Sequence, residues 1–318
     1  MNSSLKVKLV NITKRREFIA FIGLIVICIA FSFISSNFFT LFNLMSVLRQ
    51  ASINAVLAAG MTFVIISGGI DLSVSSTVSL SGTVAAMVMV NMEMGTVSGL
   101  LSALLVGLIV GAINGIVITK AGVPPIIATL GTMTVASGLA LAVTGGYSVS
   151  GLTEGFAFFG RGNLSFLPVP VLIVALMYVI SHLVLQKTRF GAAVFGGGGN
   201  EEAARLAGVS VDRTKIGVYM FSGLMAAVGG IILASRLDSG QPMAGDGLEL
   251  DAIAAVVIGG ASVNGGVGGV VGSLIGALIM SVLDNGFDLI GVGRYYQMVF
   301  TGIVLILAVA VQKKSKNR

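Results

Sequence analysis

The sequence has almost none of the side chains that build disulfides and transition-metal sites. Its 318 residues include one cysteine, Cys28, and one histidine, His182. A single cysteine cannot form a disulfide within the chain. One cysteine and one histidine cannot supply the nitrogen and sulfur ligands that hold zinc in proteins. The sequence therefore predicts no internal disulfide, no metal site and no cofactor.

Charged residues are also scarce. They make up 10% of the chain, against about 25% in an average soluble domain. Hydrophobic residues make up 55%, and the mean hydropathy is +1.01. A soluble protein of this size needs a larger polar surface than this composition provides. The composition therefore predicts an all-α membrane protein, a polytopic bundle of transmembrane helices.

Motifs of catalysis and nucleotide binding are missing as well. The chain contains no Gly-Lys-Ser/Thr phosphate loop, no Gly-x-Ser-x-Gly elbow and no His-Glu-x-x-His motif. Paired intramembrane acids with a basic counterpart, the usual sign of ion coupling, are also missing. We therefore predict that the protein is not an enzyme. Any uphill transport would draw its energy from a separate subunit.

Ten stretches approach the roughly 20 mostly apolar residues that a transmembrane helix needs. The second and third, and the eighth and ninth, are each one long apolar stretch broken by glycines and small polar residues. We interpret the first as an uncleaved span, because no Ala-x-Ala cleavage site follows it. The ten predicted spans are 17–36, 46–66, 72–92, 97–119, 124–145, 167–186, 213–236, 250–264, 268–288 and 295–312.

The basic residues sort to one side of the membrane when these spans are threaded from a cytoplasmic N-terminus. Of the 19 lysines and arginines, 15 then face the cytoplasm, and both termini are cytoplasmic. The net charge of +6 is therefore a signal of membrane topology, not of a nucleic-acid-binding surface. The longest cytoplasmic connection is 187–215, and the outer connection 237–251 carries four acidic residues.

Two of the interrupted spans contain similar short sequences. Residues 64–69 (VIISGG) are followed 191 residues later by 255–260 (AVVIGG), and each stretch leads into a short polar break. Glycine-interrupted spans at matching places in two halves point to a substrate pathway, although Gly-rich apolar stretches also match by chance. The pathway candidates are Ser67, Gly68, Gly69, Asp71, Ser73, Gly259, Gly260, Ser262 and Asn264.

Asp71 is the acidic residue in the first break. A carboxylate at membrane depth is costly and usually functional, which predicts a pathway or ion-binding role. The alternative is that Asp71 caps the third span at the cytoplasmic surface, with Ser73 assisting. The sequence leaves both interpretations open.

The connection 187–215 contains a short helix with its own caps. Asn200 is a favourable N-cap, Glu201 and Glu202 suit the positive end of the helix dipole, and Gly208 suits the left-handed C′ position. The helix is either a lever that docks into a partner subunit or a solvated loop helix. Its residues are Asn200, Glu201, Glu202, Ala203, Ala204, Arg205, Leu206, Ala207 and Gly208.

Several stretches together resemble the permease subunits of ribose-type ABC importers, the group that also serves xylose, arabinose and galactosides. The resemblance extends from about Asn37 to Val311. The matching stretches are 60–73 (GMTFVIISGGIDLS), 114–120 (NGIVITK), 127–134 (IATLGTMT), 198–208 (GGNEEAARLAG), 241–242 (QP), 250–260 (LDAIAAVVIGG) and 285–286 (NG).

The resemblance implies a single permease domain over 1–318, with about ten helices in the fold of vitamin-B12-type ABC importers. It implies two copies of the permease in membrane lipid, expected as a homodimer, with an ATPase inside and a sugar-binding protein outside. Residues 200–208 then form the helix that couples to the ATPase. Contacts with the binding protein are expected at Arg49, Asp238, Asp246, Glu249 and Asp251.

The function implied is translocation of a monosaccharide, with ribose as the first candidate, between the two permease copies near the broken spans. Because the binding protein would supply the affinity, we expect a pathway of small residues, Ser, Thr and Asn without a carboxylate clamp. The alternative is an ion-coupled secondary transporter that uses Asp71.

Overall fold

The computed structural model describes residues 16–316, with side chains for 17–310. The chain termini, predicted to be cytoplasmic, fall outside these residues. Thirteen helices occur in the described part of the chain: α1 (Arg16–Ile34), α2 (Leu41–Ile66), α3 (Val74–Val90), α4 (Thr96–Lys120), α5 (Pro125–Thr144), α6 (Glu154–Arg161), α7 (Val169–Lys187), α8 (Arg189–Gly199), α9 (Glu201–Leu206), α10 (Val211–Leu237), α11 (Leu248–Ile258), α12 (Val270–Leu289) and α13 (Arg294–Lys316).

The strands of the described residues form two short pairs, which lie in the connections that follow α5, α6 and α10. Strand β1 (Val149–Ser150) pairs antiparallel with β4 (Ser239–Gly240), and β2 (Asn163–Leu164) pairs antiparallel with β3 (Leu167–Pro168). The prediction of an all-α membrane protein is therefore confirmed at the level of fold class.

A helix lies at each of the ten predicted spans, but fewer qualify as full crossings. Among the described residues, seven helices are long and apolar enough to span a membrane, namely α1, α2, α4, α5, α7, α10 and α12. Helix α11 has 11 residues and is about 16 Å long at 1.5 Å per residue, half of a bilayer core. The predicted span 250–264 is therefore wrong in length, because the chain leaves the helix at Gly259.

Helix α2 lies at the centre of the bundle, where it packs against α7, α10, α11 and α12. Every residue from Ala51 to Ile66 is buried. Helix α12 runs antiparallel to it, and three polar contacts join the two helices along their length. These contacts are Asn43 Nδ2 to Asn285 Oδ1 at 2.9 Å, Asn54 Nδ2 to Ser281 Oγ at 3.4 Å, and Thr62 Oγ1 to Ser273 Oγ at 2.8 Å.

Helices α4 and α10 form the most extensive helix pair because glycines let their backbones touch. A Cβ atom on Gly107 would collide with the carbonyl oxygen of Gly223, and one on Gly111 would collide with the carbonyl oxygen of Tyr219. Small residues at such contacts allow the van der Waals packing that holds helices together in lipid. By contrast, α1 exposes large apolar side chains such as Phe33, as expected for a face in contact with lipid.

Candidate functional site

The short helix α9 carries the caps that the sequence predicts. Asn200 Oδ1 accepts a hydrogen bond from the backbone N of Ala203 at 2.9 Å. This bond satisfies one of the free amides at the start of the helix. At the other end Ala207 is the C-cap, and Gly208 has a φ of +83°, the left-handed conformation that glycine adopts without strain. The predicted helix and both of its ends are confirmed.

An ion-pair network holds α9 to the start of α10 and the end of α4. The carboxylate of Glu201 accepts from Lys215 Nζ at 2.6 Å and from Arg205 at 3.0 Å. Arg205 also donates to Asp212 at 2.5 Å, and Lys120 Nζ reaches the same carboxylate at 3.2 Å. The hydrogen bond from Lys215, with a smaller effect of Arg205, holds the pKa of Glu201 below its ordinary value. The network fixes the orientation of α9.

The face of α9 that points away from the protein is open. Ala204 is buried against the bundle, whereas Leu206 is 85% exposed. Glu202 and Ala203 are exposed beside Leu206, and Glu202 forms no ion pair with any described residue. An exposed leucine on a fixed, charged helix is a feature of docking surfaces, since an apolar side chain gains by leaving water.

Helix α8 leads into α9 and touches both broken spans at a point that we call the break junction, formed by Gly198, Ile66 and Gly266. A Cβ atom on Gly198 would collide with the carbonyl oxygen of Ile66 and lie 3.0 Å from the backbone N of Gly266. That N–H donates to the same Ile66 oxygen at 2.8 Å. The connection that carries α9 is therefore in backbone contact with both breaks.

The two breaks have the same backbone geometry. After α2, Gly68 N donates to Ile65 O and Gly69 N donates to Val64 O, both at 3.0 Å. After α11, Gly260 N donates to Val257 O and Ala261 N to Val256 O, at 3.0 and 3.1 Å. Both ends are Schellman motifs, with a positive-φ glycine at C′. The two breaks therefore share a turn geometry in which Gly68 corresponds to Gly260, an offset of 192 residues and not the predicted 191.

Asp71 lies in the first break and is fully satisfied by hydrogen bonds. Its Oδ1 accepts from the N and Oγ of Ser73, at 3.0 and 2.6 Å, and its Oδ2 accepts from Ser222 Oγ at 2.8 Å. Ser73 Oγ in turn accepts from Asn114 Nδ2 at 2.8 Å. Asp71 is 1% exposed, so it is not a solvated cap, although it accepts from Ser73 N just before α3 as the cap interpretation predicts. The carboxylate instead braces the turn before α3 against α4 and α10.

The nine predicted pathway residues gather around the break junction. Gly68 and Asn264 are exposed there, Gly260 and Ser262 are partly buried, and the other five are buried. None of the nine lines either of the two large cavities found in the described part of the chain. The buried ones are Ser67, Gly69, Asp71, Ser73 and Gly259.

Comparison with known proteins identifies the family. Residues 43–309 match the family described as branched-chain amino acid transport system / permease component. The chain belongs to this permease family. The ribose import permease protein RbsC of Bacillus subtilis (strain 168) is 45% identical over 296 residues, which cover 92% of each chain. RbsC of Escherichia coli (strain K12) is 44% identical over 299 residues, 93% of each chain.

The L-arabinose transport system permease protein AraH of Escherichia coli (strain K12) is 40% identical over 284 residues, 89% of this chain and 86% of AraH. No solved structure matches the chain. The resemblance to permeases of ribose-type ABC importers is thus confirmed, and so is a transport subunit in place of an enzyme. The permease is a multi-pass inner-membrane protein, and its family implies an ATPase and a substrate-binding protein as partners.

Two of the predicted contacts with the binding protein hold the outer connections of the permease together. Arg49 donates to the carbonyl oxygens of Gly160 and Arg161, at 3.3 and 3.1 Å, and to Asn163 Oδ1 at 2.7 Å. Asp238 forms an ion pair with Arg161 at 2.9 Å. Arg49 and Asp238 therefore fasten α6 and β2 to the ends of α2 and α10.

The other three predicted contacts lie around α11. Asp246 is exposed in the turn before the helix, and partial desolvation of its carboxyl group raises its pKa. Glu249 is partly buried, and its Oε2 atom has no hydrogen-bond partner among the described residues. Asp251 is recessed and faces a cavity with Asp284. The five predicted contacts therefore fall into two groups, one that touches α6 and one around α11.

This cavity has a volume of about 310 Å³ and lies among α2, α10, α11, α12 and α13. A second cavity of about 290 Å³ shares Asp251, Asp284 and Arg294 with it. Sequence reasoning misses the cavity, although an acidic residue inside the predicted span 268–288 is a signal for it. The residues that line the larger cavity are Gln50, Ile53, Asn54, Leu233, Arg236, Ala244, Leu248, Asp251, Asp284, Asp288 and Arg294.

Proposed function

We propose that the permease is the membrane subunit of an ABC importer for a monosaccharide, with ribose as the first candidate. The support is the 45% identity to a ribose import permease over 92% of both chains. Relatives named for L-arabinose and xylose transport are 40% and 34% identical. Ribose, arabinose and xylose are all five-carbon sugars, so the chemistry that these names share is a small neutral polyol.

The proposed assembly contains two identical permeases, each a single domain over 1–318 with about ten helices in the vitamin-B12-importer type of fold. Both termini and the connection 187–215 lie in the cytoplasm. The support is the charge distribution, because Lys120, Arg205 and Lys215 cluster around α9. The positive-inside rule places such clusters in the cytoplasm.

One observation carries the mechanism: α9 has an open apolar face, and the connection that bears it contacts both breaks through Gly198. An ATPase that grips Leu206 and Glu202 and closes on ATP would pull on α8. The pull would reach Ile66 and Gly266 through direct backbone contact. The permeases would then rock between outward-open and inward-open arrangements.

The proposed pathway runs between the two permeases and past the break junction, with its exit at the exposed Gly68 and Asn264. Its remaining candidate residues are Ser67, Gly69, Asp71, Ser73, Gly259, Gly260 and Ser262. On the outer side we propose that the binding protein docks over α6 and the turn before α11. The proposed contacts there are Arg49, Asp238, Asp246 and Glu249, whereas the fifth predicted contact, Asp251, is recessed in the neighbouring cavity.

The test is reconstitution of the permease in liposomes with its ATPase and with ribose-loaded binding protein. ATP-dependent ribose uptake is expected, and the permease without ATPase should give none. The double variant Glu202→Lys/Leu206→Asp should lose the ATPase in pull-down while it still inserts and stays monodisperse. Concentration of ribose by the permease alone, driven by a proton or sodium gradient, would refute the proposal.

A further inference from the structure

The cavity among α2, α10, α11, α12 and α13 is lined by polar side chains that form few hydrogen bonds with other described residues. Asp284 is 8% exposed, and its carboxylate accepts no hydrogen bond from any described residue. Asp251 beside it accepts none from the described part of the chain either. Both carboxylates line a space large enough for a small molecule, so their oxygen atoms are free to accept hydrogen bonds from a ligand inside it.

The floor of the cavity has the same character. Asn54 is 4% exposed, and its Nδ2 atom reaches Ser281 Oγ only at a long 3.4 Å. Its Oδ1 atom has no donor among the described residues. Arg236 and Arg294 line the wall, and neither donates to any described residue. Donors and acceptors therefore face the same space without being paired to each other.

This mixture favours a neutral ligand with several hydroxyl groups. Three acidic side chains face two guanidinium groups, so the cavity has no excess of positive charge that would favour an anion. No cluster of three or more acidic, histidine or cysteine side chains in the described residues could hold a metal ion. A hydroxyl group both donates and accepts, so a polyol satisfies carboxylates, amides and guanidinium groups together. The volume of about 310 Å³ suits a small ligand.

The cavity lies at the end of the bundle opposite the break junction. Asp284 is 14 residues from the start of α12 at Val270, about 21 Å at 1.5 Å per residue. Asn54 is 12 residues from the end of α2 at Ile66, about 18 Å. On the proposed topology this end faces the outside, where the binding protein releases its sugar.

We propose that this cavity is a receiving site for a neutral monosaccharide in each permease, where Asp251 and Asp284 accept hydrogen bonds from its hydroxyl groups and Asn54 and Arg294 donate to it. The proposal rests on the proposed function and adds a binding site to it. It replaces the expectation of a pathway without a carboxylate clamp.

The test is protection of a cysteine in the cavity from a membrane-impermeant thiosulfonate. In full-length permease with Cys28→Ser, reconstituted in nanodiscs, Leu233→Cys places the reporter on the cavity wall. Leu237→Cys, one turn later on α10 and 41% exposed, is the matched control outside the cavity. D-ribose and L-valine are the two probes, since the family is described by amino acid transport. If Leu233→Cys fails to fold, Ala244→Cys replaces it.

We expect ribose to slow modification of the reporter and to leave the control unchanged. Reporter modification without protection by ribose, or no modification at all, would overturn the proposal. Protection by L-valine alone would overturn the polyol assignment. Failure of the proposed function shows separately, as absence of ATP-driven ribose uptake by the reconstituted importer.

Replacement of Asp284 tests whether this residue binds the sugar, in addition to whether the sugar enters the cavity. In the reporter background Asp284→Asn should raise the ribose concentration for half-protection about tenfold, because a charged acceptor becomes a neutral one. Glu93→Gln, an exposed acid in the connection between α3 and α4, should leave it unchanged. Equal half-protection in the two variants would remove Asp284 from the site.

Discussion

Gly198 offers the sharpest test of the break junction, because the next residue provides its control. Gly→Ala in a helix normally stabilises by about 0.5–1 kcal/mol. At Gly198 the new methyl group would overlap the Ile66 carbonyl oxygen, whereas at Gly199 it would meet nothing within 4 Å. Overpacking costs about 1–3 kcal/mol, so we expect a net loss of about 1–2 kcal/mol for Gly198→Ala. Gly199→Ala should be neutral or slightly stabilising.

The sequence contains no tryptophan, so thermal stability is best followed as the monodisperse fraction after heating in detergent. At about 2–4 °C per kcal/mol, Gly198→Ala should lower the midpoint by about 2–8 °C. It should reduce ATP-driven uptake at least tenfold, because α8 must move away from both breaks. Binding of the ATPase should be retained, since the open face of α9 is unchanged. Equal stability and equal uptake in Gly198→Ala and Gly199→Ala would refute the coupling role of the junction.

Three further predictions concern single side chains. Asp71→Asn should keep ATP-driven uptake that is independent of ion gradients, because an amide still accepts from Ser73; a switch to zero uptake with intact folding would revive the ion-coupled alternative. Leu206→Asp should weaken ATPase binding at least tenfold without lowering the thermal midpoint, and an unchanged affinity would remove Leu206 from the interface. Glu201 has a lowered pKa, so its pairing with Lys215 stabilises at neutral pH and is lost as pH falls below about 4.5, through the lowered pKa. The thermal midpoint of the wild type should therefore drop more than that of Glu201→Gln over this range. The difference in stability behind it is under about 1 kcal/mol, because the pair is partly exposed.

Features that depend on local chemistry could be predicted from the sequence. Lipid selects apolar stretches of spanning length, so hydropathy locates the helices. The caps of α9 depend on Asn200 and Gly208 within one short segment, so residue type alone predicts them. The positive-inside rule, which predicts the orientation of the whole chain, also predicts basic residues around α9.

Features that depend on backbone contact between distant segments could not be predicted. The break junction joins Gly198, Ile66 and Gly266 through carbonyl and amide groups, which every residue carries. The sequence aligns the two breaks with a separation that is one residue too short, because the apolar pattern fits either register. In the structure the register is set by the glycines with positive φ, Gly68 and Gly260. The sequence alone does not show which glycine of a pair adopts positive φ.

Helices α2 and α12 connect the break junction at one end of the bundle with the proposed receiving site at the other. Each lines the cavity near one end and joins the break junction or its loop at the other, about 20 Å away. The polar contacts from Asn43–Asn285 to Thr62–Ser273 tie the two helices along this distance. Each such bond contributes only about 0.6 kcal/mol within a membrane, but together they oppose sliding of one helix past the other. On the proposed mechanism, a displacement applied at the junction through Gly198 would move the pair as a unit and would change the cavity at its far end.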